Sequence, residues 1–242
     1  AKDPRSLMLR FHTQTAGCSL TAPQPHNNIV RTTVEALAAT LGGTQSLHTN
    51  SFDEAYAPPS EEAVTVAVRT QQILSYENGV ADVVDPFGGS YYIESLTNRL
   101  EKEASKYMAK IDSLGGAVAA IEQGYPQREI QDASYRYQKE IEGGKRTVVG
   151  VNKFLSPYPK IKGLLRVNPE VERRQKERIA QVKKERDNSK VDQTLKRLED
   201  AAQSTDNTMP AFLECVEAYA TAGEMCDVLR KVFGTQKEFL VF

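Results

Sequence analysis

A cycle of short apolar run, polar loop and helical stripe recurs through the first part of the chain, and it restricts the fold more than any other feature. Leu7-Met8-Leu9-Arg10-Phe11-His12 reads as a buried strand that ends near His12 and gives way to a loop of Thr, Gln, Gly and Ser. Between Ile29 and Leu41, the residues Val34, Leu37, Ala38 and Leu41 recur at helical spacing, and Gly42-Gly43 closes the segment as glycine closes helices. The cycle repeats with Gln45 to His48 as a strand, a loop through Pro58-Pro59, and a helix capped by Ser60 with Glu61 and Glu62 in its first turn. A third round has Ala81 to Val84 as strand, Asp85-Pro86-Phe87-Gly88-Gly89 as loop, and a helix whose Ile93, Leu96, Leu100, Ala104 and Ile111 form one stripe for burial. Val148 to Phe154 is a further β-rich run, either a last strand or a surface extension.

Consecutive β/α units predict a parallel α/β architecture, a barrel or an open doubly wound sheet. Too few units are present to close a barrel. The texture changes at Ser156: Pro157 and Pro159 break structure, and Arg166 to Lys190 is charge-dense, with Val171, Ile179 and Val182 as a narrow stripe. That run reads as a solvated or partner-facing helix. Val191, Leu195, Leu198 and Ala202 predict another helix, and Met209 to Phe233 two more, parted near Gly223. The expected organisation is an α/β region over residues 1–155 and a linker with a helical extension over 156–242.

Composition narrows the function. The 31 basic and 32 acidic residues leave a net charge of -1, so the chain carries no electrostatic footprint for nucleic acid or an anionic membrane. No apolar run approaches the roughly 20 residues that span a bilayer, and the sequence opens on Ala1 without a charged-then-apolar leader. The expectation is a cytoplasmic protein, or a mitochondrial-matrix one, that is a natural or trimmed piece of something longer. Cys18, Cys215 and Cys226 are too widely spaced for a zinc site and are read as reduced, buried, small hydrophobes.

The polar clusters fall where such folds build ligand sites, at strand ends. His12, Gln14 and Gly17 offer an imidazole, a carboxamide and close backbone approach to a large polar ligand. One unit later, Thr44-Gln45-Ser46-Leu47-His48-Thr49-Asn50 is followed by Asp53-Glu54. A carboxylate such as Glu54 accepts from two vicinal hydroxyls at once, as on a ribose, although a solvated acidic loop has the same composition. Asp85 to Ser90 is read as a tight turn, with a ligand loop as the alternative. No glycine-rich dinucleotide or phosphate loop is present, and His12, His26 and His48 do not reproduce a zinc pattern, so no metal is expected on this chain.

Taken together, Phe11-His12-Thr13-Gln14-Thr15-Ala16-Gly17, Asn27-Asn28, Arg31-Thr32-Thr33 and Gly43-Thr44-Gln45-Ser46-Leu47-His48-Thr49-Asn50 resemble the large subunit of the methylmalonyl-CoA mutase family. The likeness continues through Asp85 to Ser90, Val149 to Phe154 and Gly223 to Gly234, nearly the whole chain. The resemblance implies the carboxyl-terminal portion of a (β/α)8 TIM barrel followed by a helical extension. It implies an adenosylcobalamin-dependent acyl-CoA mutase, an isomerase acting by radical 1,2-rearrangement, with (R)-methylmalonyl-CoA to succinyl-CoA as the leading reaction. Isobutyryl-, ethylmalonyl- and 2-hydroxyisobutyryl-CoA are alternatives, because Cys18 stands where well-known members carry an aromatic residue. By the same resemblance His12, Gln14, Gly17, Asn50, Glu54 and Ala57 face the cofactor and Ser46 faces the acyl-CoA substrate. The family's Asp-x-His-x-x-Gly motif is absent, so the axial histidine is expected from a cobalamin-binding small subunit or domain, with an amino-terminal barrel half as a further partner. A barrel remnant serving as an interaction module is the non-enzymatic alternative; intact ligand clusters favour the enzyme.

Overall fold

The computed structural model describes residues 2–157 and 163–235; Pro159 lies outside them. The chain divides into two units, one up to Arg166 and the other from Val167 onward. In the first, two short strands, β1 (His12–Gln14) and β2 (Ser46–His48), pair in parallel with His12 opposite Ser46, Thr13 opposite Leu47 and Gln14 opposite His48. Successive strand residues point to opposite faces. Thr13 and Leu47 are therefore half-buried on one face, while His12, Gln14, Ser46 and His48 share the other, exposed one. β1 begins where the apolar run was expected to end. The segment opposite Leu9 and Arg10 is still leaving the Gly42-Gly43 turn, so no neighbouring strand is there to take its backbone groups, and Leu9 stays 78% exposed.

Each strand is followed by a helix. The first, α1 (Asn27–Leu41), packs against the second, α2 (Glu61–Tyr76). The contact is close because its residues are small: Ala36, Ala63 and Ala67 are buried. The stripe that α1 buries is Asn28, Thr32 and Ala36, not the expected Val34 stripe; Val34 is 60% exposed. Asn28 donates to the carbonyls of Thr21 and Phe52 at 2.9 Å, and Thr32 donates to that of Asn50 at 3.4 Å. The helix thus turns its polar stripe toward loop backbone that needs partners. At the start of α2 the Ser60 hydroxyl accepts from Ala63 N at 3.3 Å, the expected cap. Ser60→Ala is expected to cost about 1 kcal/mol of unfolding free energy, measured by denaturant titration.

The third cycle departs from expectation. Residues 81–84 form turns and bends with Val84 94% exposed, because among the described residues no strand lies beside them to complete their hydrogen bonds. α3 (Tyr91–Ser113) forms over the expected residues but buries none of them. Periodicity specified its apolar face and not a partner for it; α3 packs chiefly against the short α4 (Ala117–Glu122), which leads into α5 (Tyr125–Glu142). Asp85 to Ser90 forms a turn, as read. Val148 to Phe154 is the surface extension of the two readings: a turn closed by one bridge between Val149 and Lys153. Arg31 donates to Val149 O at 2.8 Å and Gln24 to Phe154 O at 2.7 Å, which ties this turn to the start of α1.

In the second unit, α6 (Pro169–Glu185) buries no residue, in keeping with its charge. α7 (Asn188–Ala202), α8 (Met209–Glu217) and α9 (Ala222–Phe233) enclose a small core of Leu198, Ala211 and Cys215, flanked by Phe212, Met225 and Val228. Their break falls at residues 218–221 rather than at Gly223, because Thr221 and Glu224 form a reciprocal capping box that starts α9 ahead of the glycine. Cys215 is buried as expected, and burial pushes its thiol up; Cys18 and Cys226 are exposed, which corrects the reading of all three as core. No helix among the described residues is long and apolar enough to cross a membrane.

Candidate functional site

The exposed face of the two-stranded sheet carries four hydrogen-bonding side chains at paired positions. His12 Nδ1 lies 2.6 Å from Ser46 Oγ, and Gln14 stands opposite His48 one register step on. Thr13 and Thr44 join hydroxyls at 2.9 Å on the other side, tying the first strand to the turn before the second. The face is therefore polar by construction, with its apolar counterpart Leu47 turned toward the helices.

Beyond the strand ends the two loops interlock. Thr15 accepts from Asn50 N at 2.9 Å and returns its hydroxyl proton to Asn50 Oδ1 at 2.9 Å; both residues are buried. Gln14 Nε2 reaches the same oxygen at 3.4 Å. Asn50 Nδ2 is buried with no partner among the described residues. It faces Gly17: a methyl group built on that glycine would lie 3.1 Å from Asn50 Nδ2 and 2.6 Å from Glu54 Oε1. Gly17, Asn50 and Glu54, 37 positions apart at the extremes of the sequence stretch, thus meet in one place.

Each loop is braced from a helix. Glu35 on α1 accepts from Ala16 N at 2.7 Å, holding the first loop. In the second, Asp53 Oδ2 accepts from Ser60 N at 3.0 Å and the Asp53 carbonyl accepts from Tyr56 N at 2.8 Å, so one buried residue links Glu54 to the start of α2. Asp53 Oδ1 has no partner among the described residues. Thr49 donates to Ala67 O at 2.6 Å, fastening the same loop to the middle of α2.

The sequence-predicted residues sort into two places. Gln14, Glu54 and Ala57 line a cavity of about 420 Å³ together with His48, Pro58 and Pro59, and Gly17 and Asn50 lie close to Glu54. His12 and Ser46 sit farther back on the face, and Ser46 opens into a second cavity of about 370 Å³ near the strand starts, with Thr44, Gln45 and Gln71. Sequence reasoning named His48 within its cluster without assigning it to the site; the i, i+2 alternation of Ser46 and His48 was the signal. Thr15 was likewise named within its cluster but given no role, since nothing local marks a buried threonine as a partner of Asn50. Among the described residues no group of histidine, cysteine and acidic side chains gathers to hold a metal.

Comparisons with known proteins match this sequence to one family. A profile of the family described as methylmalonyl-CoA mutase matches residues 1–235. The chain is 43% identical to the 2-hydroxyisobutanoyl-CoA mutase large subunit of Aquincola tertiaricarbonis, over 100% of this chain and 43% of the relative. It is 45% identical to methylmalonyl-CoA mutase of Escherichia coli, over 96% of this chain and 33% of that protein. It is 42% identical to the mitochondrial methylmalonyl-CoA mutase of Homo sapiens, over 98% of this chain and 32% of that protein. The chain thus spans between 32% and 43% of the length of these relatives.

Proposed function

Because the chain belongs to the methylmalonyl-CoA mutase family, we propose that it supplies the carboxyl-terminal part of the substrate barrel of an acyl-CoA mutase, an isomerase, and one wall of its cofactor site. The observation that carries this reading is the convergence of Gly17, Asn50 and Glu54 beside the polar face of His12, Gln14, Ser46 and His48. In a (β/α)8 barrel that face is the lumen, and the strand ends carry the site. Val84 and the apolar stripe of α3, left in solvent here, would then be covered by the remaining barrel units, the amino-terminal half.

Adenosylcobalamin fits the residues present. Asn50 Nδ2 is a buried donor in want of an acceptor, Glu54 is an exposed acceptor for hydroxyls, and Gly17 clears the space between them. These three, with Ala57, would hold the adenosyl side, and His12, Gln14 and His48 the corrin or acyl side; Ser46 would face the acyl-CoA. When bound, the cofactor supplies the homolytic hydrogen-transfer chemistry. This chain's residues orient both ligands by hydrogen bonds and keep water from the reacting atoms. A cobalamin-binding subunit or domain would hold the rest of the cofactor, since the only histidines of this sequence are His12, His26 and His48. The relatives include bacterial and mitochondrial proteins, which favours the cytoplasm or the matrix.

Methylmalonyl-CoA to succinyl-CoA is the leading reaction, supported by the relatives in bacteria and animals. A second reading, 2-hydroxyisobutyryl-CoA isomerisation, is favoured by the match of a large subunit over the whole chain. Turnover of each acyl-CoA by the complete protein, assembled with its cobalamin-binding part and adenosylcobalamin, separates them. Glu54→Ala is expected to lower kcat/KM by about tenfold or more, the worth of a charge-assisted bond to the ligand. Absence of turnover on every acyl-CoA in the complete, cobalamin-loaded protein would favour the non-catalytic remnant.

A further inference from the structure

We propose that Thr15 is a positioning residue that decides which end of the Asn50 carboxamide meets the ligand. The inference rests on the reading that the Gly17, Asn50 and Glu54 corner takes the adenosyl group. Thr15 is buried, and its oxygen already accepts from Asn50 N, so its hydroxyl proton needs an acceptor; Asn50 Oδ1 at 2.9 Å is that acceptor. Gln14 Nε2, aimed at the same atom from 3.4 Å, adds a second donor. Turning the amide over would set Asn50 Nδ2 against the Thr15 hydroxyl and strand the threonine proton in a buried site. The carboxamide is therefore locked with Oδ1 inward and Nδ2 toward Gly17 and Glu54, where it has no partner among the described residues.

The consequence is a specificity rule. The corner presents an N–H donor from Asn50 beside an acceptor from Glu54, so it selects a ligand hydroxyl that accepts from the first and donates to the second. A ribose diol meets that demand, and a ligand lacking it does not. Glu54 is exposed, and its Oε1 lies with Asn50 Nδ2 around the space that a side chain on Gly17 would fill.

The test is cobalamin binding, read by absorbance titration, in the complete protein assembled with its cobalamin-binding part. Adenosylcobalamin is compared with methylcobalamin, which has the same corrin and no ribose on its upper face. Thr15→Val, which keeps shape and removes the hydroxyl, is expected to weaken adenosylcobalamin roughly tenfold and to leave methylcobalamin within about twofold. Thr15→Ser restores the hydroxyl and is expected to recover most of the loss. Equal weakening of both cobalamins, no weakening of either, or failure of serine to recover binding overturns the proposal. Should the valine variant not fold, Asn50→Asp, which keeps an acceptor for Thr15 but turns an acceptor toward the ligand, is expected to show the same selective loss; its absence likewise overturns the proposal. If the parent protein binds both cobalamins equally, the adenosyl reading itself fails, an outcome distinct from a parent that discriminates and a valine variant that still does.

Discussion

Gly17→Ala is expected to leave the protein folded while weakening adenosylcobalamin by up to about a hundredfold. The new methyl carbon would lie 2.6 Å from Glu54 Oε1 and 3.1 Å from Asn50 Nδ2, nearer than carbon approaches either atom without displacement. The atom that must yield is the tip of an exposed, flexible glutamate, so the cost to folding is small. Gly17 does not need a glycine-only backbone conformation, since it is absent from the positions with positive φ. Both ligand-facing groups of the proposed site are disturbed together, one displaced and one crowded. The measurement is paired: a thermal melt within about 2 °C of the parent, given that ordinary surface changes fall within about 0.5 kcal/mol, and a cobalamin titration that shifts strongly. A large drop in melting temperature with unchanged affinity would reverse the assignment and make Gly17 a packing residue.

Arg186→Ala carries the largest expected effect on stability, about 2 to 3 kcal/mol, because it removes one member of a largely buried ion pair. Arg186 side-chain exposure is 7% against 23% for Glu224, and the guanidinium grips both carboxylate oxygens, at 2.8 and 2.6 Å. It also donates to Tyr219 O at 2.9 Å, so one side chain joins the end of α6 to the turn between α8 and α9. Glu224 serves meanwhile in the capping box of α9. The Arg186 hydrogen bonds, helped by those from Thr221, hold the Glu224 carboxyl far below the usual carboxylate range. A group whose value is depressed on folding stabilises fully above its unfolded value, about 4.5 for glutamate, and the contribution is lost as pH falls below that toward the folded value. Denaturant melts of the full chain should therefore show the penalty of Arg186→Ala fully at pH 7 and shrinking below pH of about 4. A penalty that stays the same at low pH would mean Arg186 acts through packing alone.

The chain's own sequence determined most of its helices, α4 and α5 excepted, and its polar loops. Helix positions follow from 3.6-residue periodicity and local caps, signals that need no distant partner: α2 opens at Ser60, α3 covers Tyr91–Ser113, and α7 carries Val191 and Leu198 inward. The polar runs at His12 and Asn50 were legible because residue type and position after a strand are both local, as is the family membership they signal. Tertiary structure decided what depends on a neighbour. A strand exists only where another strand takes its hydrogen bonds, so His12–Gln14 pairs with Ser46–His48 while the more apolar residues 81–84 form no strand. Burial likewise depends on a partner: α1 hides Asn28 and Thr32 beneath the loops in preference to Val34, and α3 hides nothing. Above all, the site is a meeting of residues distant in sequence. Thr15 aims the Asn50 amide, Glu35 and Asp53 brace the loops, and Gly17 leaves room beside Glu54, all through hydrogen bonds and short contacts that come into being only when the two β/α units pack side by side.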